Sequence, residues 1–149
     1  MPIQSLFHIN INCTDFERSL AFYEMLGFRQ VLDLPQHKLS PELAKGLDIP
    51  DGEARGALLM VGDDPRATRI DLIEWTRPKT EGTPYPHLYH AGMPRLALRT
   101  KDLPAMYEEL KGLGVKFLSE PQVINLAGGE RFVCLEDPDG TIIELLEIL

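Results

Sequence analysis

Apolar and polar residues alternate from Leu6 to Cys13, with Phe7, Ile9, Ile11 and Cys13 on one side and Leu6, His8, Asn10 and Asn12 on the other. This is the period-two signature of a half-buried strand. The period changes after Cys13. Phe16, Leu20, Phe22, Tyr23 and Leu26 recur at helical spacing, Thr14 or Asp15 is placed to cap, Glu17 to return the capping bond, and Gly27 to end the helix. A second strand is expected near 28–34, after which Ser40-Pro41-Glu42 predicts the start of a short inserted helix. Runs at 56–61 and 68–75, separated by Gly62-Asp63-Asp64-Pro65, predict a hairpin. Residues 77–93 carry Pro78, Gly82, Pro84, Pro86 and Gly92 without either period, and read as a linker over the surface.

The pattern then begins again. Asp102 follows Asp15, and Gly114 follows Gly27, by the same 87 positions, which sets His8-Ile9-Asn10-Ile11 on Arg95-Leu96-Ala97-Leu98 without a gap. At an offset of 73, Ile70-Asp71-Leu72-Ile73-Glu74 lies on Ile143-Glu144-Leu145-Leu146-Glu147, so the second half lacks the insertion. An internal repeat in the order strand, helix and three strands predicts an α+β fold of two tandem βαβββ modules. They span about 5–76 and 94–149 within a single domain. In a cupped mixed sheet with helices on the convex side, the polar strand faces line a concave cleft. The repeat names the lining residues: His8, Asn10 and Asn12, then Arg95, Ala97 and Arg99 from the two first strands, and Asp71 and Glu144 from the two last strands.

Composition narrows the partners. The 149 residues include 15 Lys+Arg against 23 Asp+Glu, for a net charge of −8. With no basic run, nucleic acid is not an expected partner. No apolar stretch approaches the roughly 20 residues of a membrane span, and MPIQSLFHINI lacks a charged n-region, so neither membrane insertion nor export is expected. Cys13 and Cys134 fit no metal or redox spacing and read as reduced, buried thiols, which points to the cytoplasm.

His8-Ile9-Asn10-Ile11-Asn12-Cys13-Thr14-Asp15, Phe22-Tyr23, Leu26-Gly27-Phe28, Arg95-Leu96-Ala97-Leu98 and the ending Asp137-Pro138-Asp139-Gly140-Thr141-Ile142-Ile143-Glu144-Leu145 together resemble the vicinal oxygen chelate superfamily. That superfamily takes in glyoxalase I, bleomycin-resistance proteins and extradiol dioxygenases. The resemblance covers nearly the whole chain and implies a homodimer with a small-molecule substrate. It also implies a divalent metal (Fe, Mn, Ni, Co or Zn), which in this chain would fall to His8, Asp71 and Glu144. The fourth ligand position holds Arg95 where metal-binding relatives resemble G-x-x-H, and a guanidinium offers donors only.

Two readings follow. In one, the three remaining ligands hold a metal and Arg95 holds a substrate oxyanion, in a lyase, isomerase or oxygenase with His8, Arg95 and Glu144 as its catalytic residues. In the other, Arg95 pairs with Glu144 or Asp71, no metal binds, and the cleft is a binding or drug-sequestering site of the bleomycin-resistance type, or uses His8 as a base. Asn10, Asn12, Trp75, Arg95 and Arg99 are expected to contact the small molecule in either case. Arg69 shares the face of Asp71 and is expected to neutralise it. His87 and His90 are linker residues expected to be solvated.

Overall fold

Alternation at the start of the chain produces β1 (His8–Asn12), and the helical period that follows produces α1 (Phe16–Met25). The computed structural model describes residues 2–149. The Asp15 carboxylate accepts from Arg18 N at 3.1 Å, and Gly27 closes the helix at φ 103°, a conformation costly for any residue with a Cβ. Phe16, Ser19, Leu20 and Tyr23 form the buried face, on which Phe16 and Tyr23 each contribute roughly 2–3 kcal/mol of apolar burial.

Three strands complete the first sheet: β2 (Arg29–Lys38), β3 (Glu53–Met60) and β4 (Arg69–Arg77). Both β2 and β3 run longer than their apolar cores suggest, because main-chain pairing continues through His37↔Ala54 and Lys38↔Glu53 after the apolar run has ended. The insertion between them is α2 (Pro41–Leu47), capped by Ser40 with proline in its first turn. Strand order is β1-β4-β3-β2, with β1 parallel to β4 and the other pairs antiparallel.

The second sheet repeats this plan with β5 (Arg95–Arg99), α3 (Leu103–Gly112), β6 (Gln122–Ile124), β7 (Glu130–Glu136) and β8 (Ile142–Ile148), in the order β5-β8-β7-β6. Asp102 caps α3 through Ala105 N at 3.1 Å, as Asp15 caps α1. A further correspondence ties each helix to its sheet. Glu74 on β4 accepts from Phe16 N at 2.7 Å, and Glu147 on β8 accepts from Leu103 N at 3.4 Å. These carboxylates answer N–H groups that a helix leaves unpaired at its positive end. Glu17 does not return the capping bond expected of it: with Asp15 as the cap it stands one position before the returning site, and its carboxylate reaches Arg55 at 3.8 Å.

The D-P-D-G signature has a structural job. Buried Asp137 accepts from Asp139 N at 3.0 Å and Thr141 N at 2.8 Å through one oxygen, folding the turn that launches β8. Two compact units divide between Gly82 and Thr83, each with its own sheet and core. Residues 83–94 therefore belong with the second unit. There Tyr85 stacks on His90 with centroids 4.6 Å apart, and Gly92 packs so tightly against the Tyr85 ring that a Cβ would collide. Among the described residues, no helix is long and apolar enough to cross a membrane.

Candidate functional site

Helix packing consumes one face of each sheet, and register determines what the other face presents. In the first unit Ile70 and Leu72 are buried on the helix side, whereas Asp71 points away from it. Asn10 on β1 and Leu58 on β3 flank Asp71 in register. His8, Asn10, Asn12, Asp71 and Trp75 thus share one open face, as strand alternation requires. Asn10 Nδ2 donates to the Asp71 carbonyl at 3.0 Å, and Trp75 Nε1 donates to Asn12 Oδ1 at 3.1 Å. His8 Nε2 stands 3.7 Å from Asp71 Oδ2; the imidazole is 41% exposed and the carboxylate 17%. Burial pushes the Asp71 carboxyl above its usual value, and His8 pulls it partly back.

Two neighbours of this pair differ from expectation. Arg69 does not neutralise Asp71. Its guanidinium turns toward the β3–β4 connection, donating to the carbonyls of Ala67 at 3.2 Å and Pro65 at 2.9 Å, and lies 5.0 Å from the Phe7 ring centroid. Phe7 does not join the core despite its place in the alternation. It precedes the paired strand, is 58% exposed, and meets the His8 ring edge-on at 5.5 Å.

The second unit presents an equivalent pair. Ala97 on β5 and Cys134 on β7 flank Glu144 in register, and Arg95 Nε donates to Glu144 Oε2 at 2.5 Å. Arg95 is 47% exposed and Glu144 13%. Arg95 corresponds to His8 and Glu144 to Asp71, so each unit carries one cation-capable group beside one carboxylate on its open face. Arg99 lies four residues along β5 from Arg95 on the same face, with Ala97 between them.

Cys134 is the free, buried thiol expected from the sequence, but its place beside Glu144 was not anticipated. Burial raises its thiol, Glu144 raises it further, and Arg95 offsets part of this. The alternation Phe132, Cys134, Glu136 ahead of the Asp137 turn was the available signal. His87 stacks on Tyr89 at 4.8 Å and His90 on Tyr85, so both are occupied by aromatic contacts.

Metal ligation requires several lone-pair donors around one point. Among the described residues, no group of three His, Cys, Asp or Glu gathers in that way. His8 and Asp71 form a pair, and the Glu144 oxygen nearest Arg95 is engaged by a guanidinium.

Fold and site define a repeated βαβββ protein with polar open faces. A family model for the Glyoxalase/Bleomycin resistance protein/Dioxygenase superfamily matches residues 5–145, and the chain belongs to that superfamily. It is 28% identical over 148 residues, 99% of each chain, to the uncharacterized protein YwkD of Bacillus subtilis (strain 168). Its fold matches a glyoxalase family protein from Bacillus cereus with a TM-score of 0.85 at 16% identity, covering 99% of this chain and 95% of the other. It also matches TnmS3, an antibiotic binding protein from Streptomyces sp. CB03234, with a TM-score of 0.67 at 22% identity, covering 100% and 99%.

Proposed function

We propose that this protein is a metal-independent member of the superfamily that binds an oxygen-bearing small organic molecule on a polar open face of one of its units. The observation that carries this reading is the contact between Arg95 and Glu144. A permanently charged guanidinium at the first-strand position supplies no lone pair and satisfies the carboxylate that would otherwise ligate. A cation placed there would also meet like-charge repulsion from the guanidinium. The donor set does not fit a divalent metal, and no step is assigned to one. Asn10, Asn12 and Trp75 offer amide groups and an aromatic wall on the first unit, and Arg95 and Arg99 offer guanidinium donors on the second. TnmS3 supplies a precedent, on the same fold, for binding an antibiotic.

The test uses untagged protein purified without chelators. Elemental analysis should find no stoichiometric metal, and Mn, Fe, Ni, Co and Zn should leave Tm unchanged. Trp75 is the sole tryptophan, so ligands from an oxygenated small-molecule panel should shift its fluorescence and raise Tm together. Stoichiometric metal, or a panel in which nothing changes either signal, would refute the reading. The superfamily also suggests a cytoplasmic homodimer; light scattering and cell fractionation check both points.

A second reading adds catalysis, favoured by the position of His8 beside a carboxylate that burial has made more basic. His8 would remove a proton from an acidified C–H of the bound molecule while Asp71 stabilises the imidazolium. Exchange of that ligand hydrogen for solvent deuterium, lost in His8→Gln and reduced in Asp71→Asn, is the expected signature. Ligands that bind without exchange would leave the protein a binder.

A further inference from the structure

Strand β5 ends at Arg99, and the chain leaves the sheet with Thr100 N donating to the Leu146 carbonyl at 2.8 Å. This bond holds the departing backbone against β8, and beside it lies a hollow of about 800 Å³ lined by Arg99, Thr100, Lys101 and Ile148. The hollow is open to solvent, so it can receive one end of a molecule but does not enclose it.

The arginine at this hollow differs from the other described arginines, each of which has an ion pair or a side-chain hydrogen bond. Arg29, Arg55, Arg77, Arg95 and Arg131 each sit beside a carboxylate. Among the described residues, Arg99 and Lys101 have no ion pair and no side-chain hydrogen bond, although acids outnumber bases by eight. Two like charges at one hollow repel each other, and an anion placed between them relieves that repulsion. A guanidinium fork recognises a planar carboxylate or a phosphate through paired N–H donors, an ammonium adds a mobile point charge, and the Thr100 hydroxyl adds a further donor. Ile148, 46% exposed, provides an apolar shelf at the rim.

We infer that this hollow is an anion-recognition site, taking the carboxylate or phosphate monoester end of an organic molecule whose apolar part rests on Ile148. The inference stands on the second unit alone; it shares Arg99 with the binding reading above, and it depends neither on Arg95 nor on whether the site around His8 catalyses proton transfer.

Phenyl phosphate and hexanoate are the probes, titrated into the full chain and followed by calorimetry and amide chemical shifts. Saturable binding of either, with shifts centred on residues 99–101 and 146–148, is the expected result, and the tighter probe names the head group. Arg99→Gln should weaken binding about 10- to 100-fold, the range for losing a charged hydrogen bond. Arg99→Lys should restore part of it, and Lys79→Gln, a cation on the other unit, should change nothing. The Arg99 and Lys79 side chains are both exposed, and far-UV circular dichroism verifies that the variants fold. Absence of saturable binding, insensitivity to Arg99→Gln, or equal weakening by Lys79→Gln would overturn the proposal, the last by reducing it to diffuse charge.

Discussion

Arg95→Met tests the contact on which the metal-independent reading rests. Removing the guanidinium leaves Glu144, 13% exposed, without its counterion. An exposed ion pair contributes about 0.2–1 kcal/mol, whereas orphaning a fully buried charge costs about 3–5 kcal/mol. Glu144 is largely covered but Arg95 is about half exposed, so water can reach the vacated side. The expected loss is therefore about 1–2 kcal/mol. The reciprocal change is cheaper: Glu144→Gln leaves a half-exposed arginine that water solvates, and about 0.5 kcal/mol is expected. In the double variant neither charge remains to be orphaned, so the two losses should not add, and a coupling of about 1 kcal/mol should appear in the cycle. Urea unfolding followed by far-UV circular dichroism measures it, with a midpoint shift for Arg95→Met of about 0.5–1 M at m near 2 kcal/mol/M. Strict additivity, or a Glu144→Gln loss larger than that of Arg95→Met, would show that the carboxylate does not depend on this guanidinium, and the metal-independent reading would lose its support.

Asp71→Asn should raise stability at neutral pH. Burial raises the folded carboxyl above its usual value of about 3.9, so wild-type stability is fully present below that value and declines as pH rises through the folded titration. The variant lacks this decline, and its Tm advantage should grow from near zero at acidic pH to a plateau; a flat or negative difference would contradict the burial effect. Cys134 should report on its charged neighbours: its thiol should titrate lower in Glu144→Gln and higher in Arg95→Met, read as thiolate ultraviolet absorbance in a Cys13→Ala background. Glu147→Ala should destabilise more than Glu74→Ala, about 2 against about 1 kcal/mol by urea unfolding. Glu147 serves Arg131 at 2.9 Å as well as the α3 N–H, whereas Glu74 serves the α1 N–H. Ser19→Ala should stabilise by about 0.5–1 kcal/mol in the same assay, because the Ser19 hydroxyl is fully buried with no hydrogen-bond partner among the described residues.

Much of the fold was legible because its signals are local. Asp15 and Asp102 cap their helices and Gly27 and Gly114 close them, and these features lie within one helix length of the residues they serve. The repeat multiplied such signals, since two copies of strand, cap, helix and glycine at one offset are hard to produce independently. The open-face residues were legible for the same reason: a strand has period two, so once Ile11 is inside, His8, Asn10 and Asn12 are outside. Errors fell where neighbours come from distant sequence. Arg69 was expected to serve Asp71 from the shared face, but carbonyls of its own loop capture the guanidinium. Glu17 was expected to complete a capping box, yet its carboxylate turns to Arg55 on β3.

The sequence by itself determined the module plan, the element order, the helix ends and which side chains share a strand face, since covalent spacing and backbone stereochemistry decide all four. Tertiary structure decided the partners. Arg95 could be read as a non-ligand from its chemistry alone, but its choice of Glu144 over other carboxylates came only when β5 lay parallel to β8, bringing together residues 49 positions apart. The same holds for Arg99 and Lys101, which have no carboxylate partner among the described residues, a fact visible only once the chain is packed. Charge pairing depends on distance in space and on exclusion of water, and neither quantity is written along the chain.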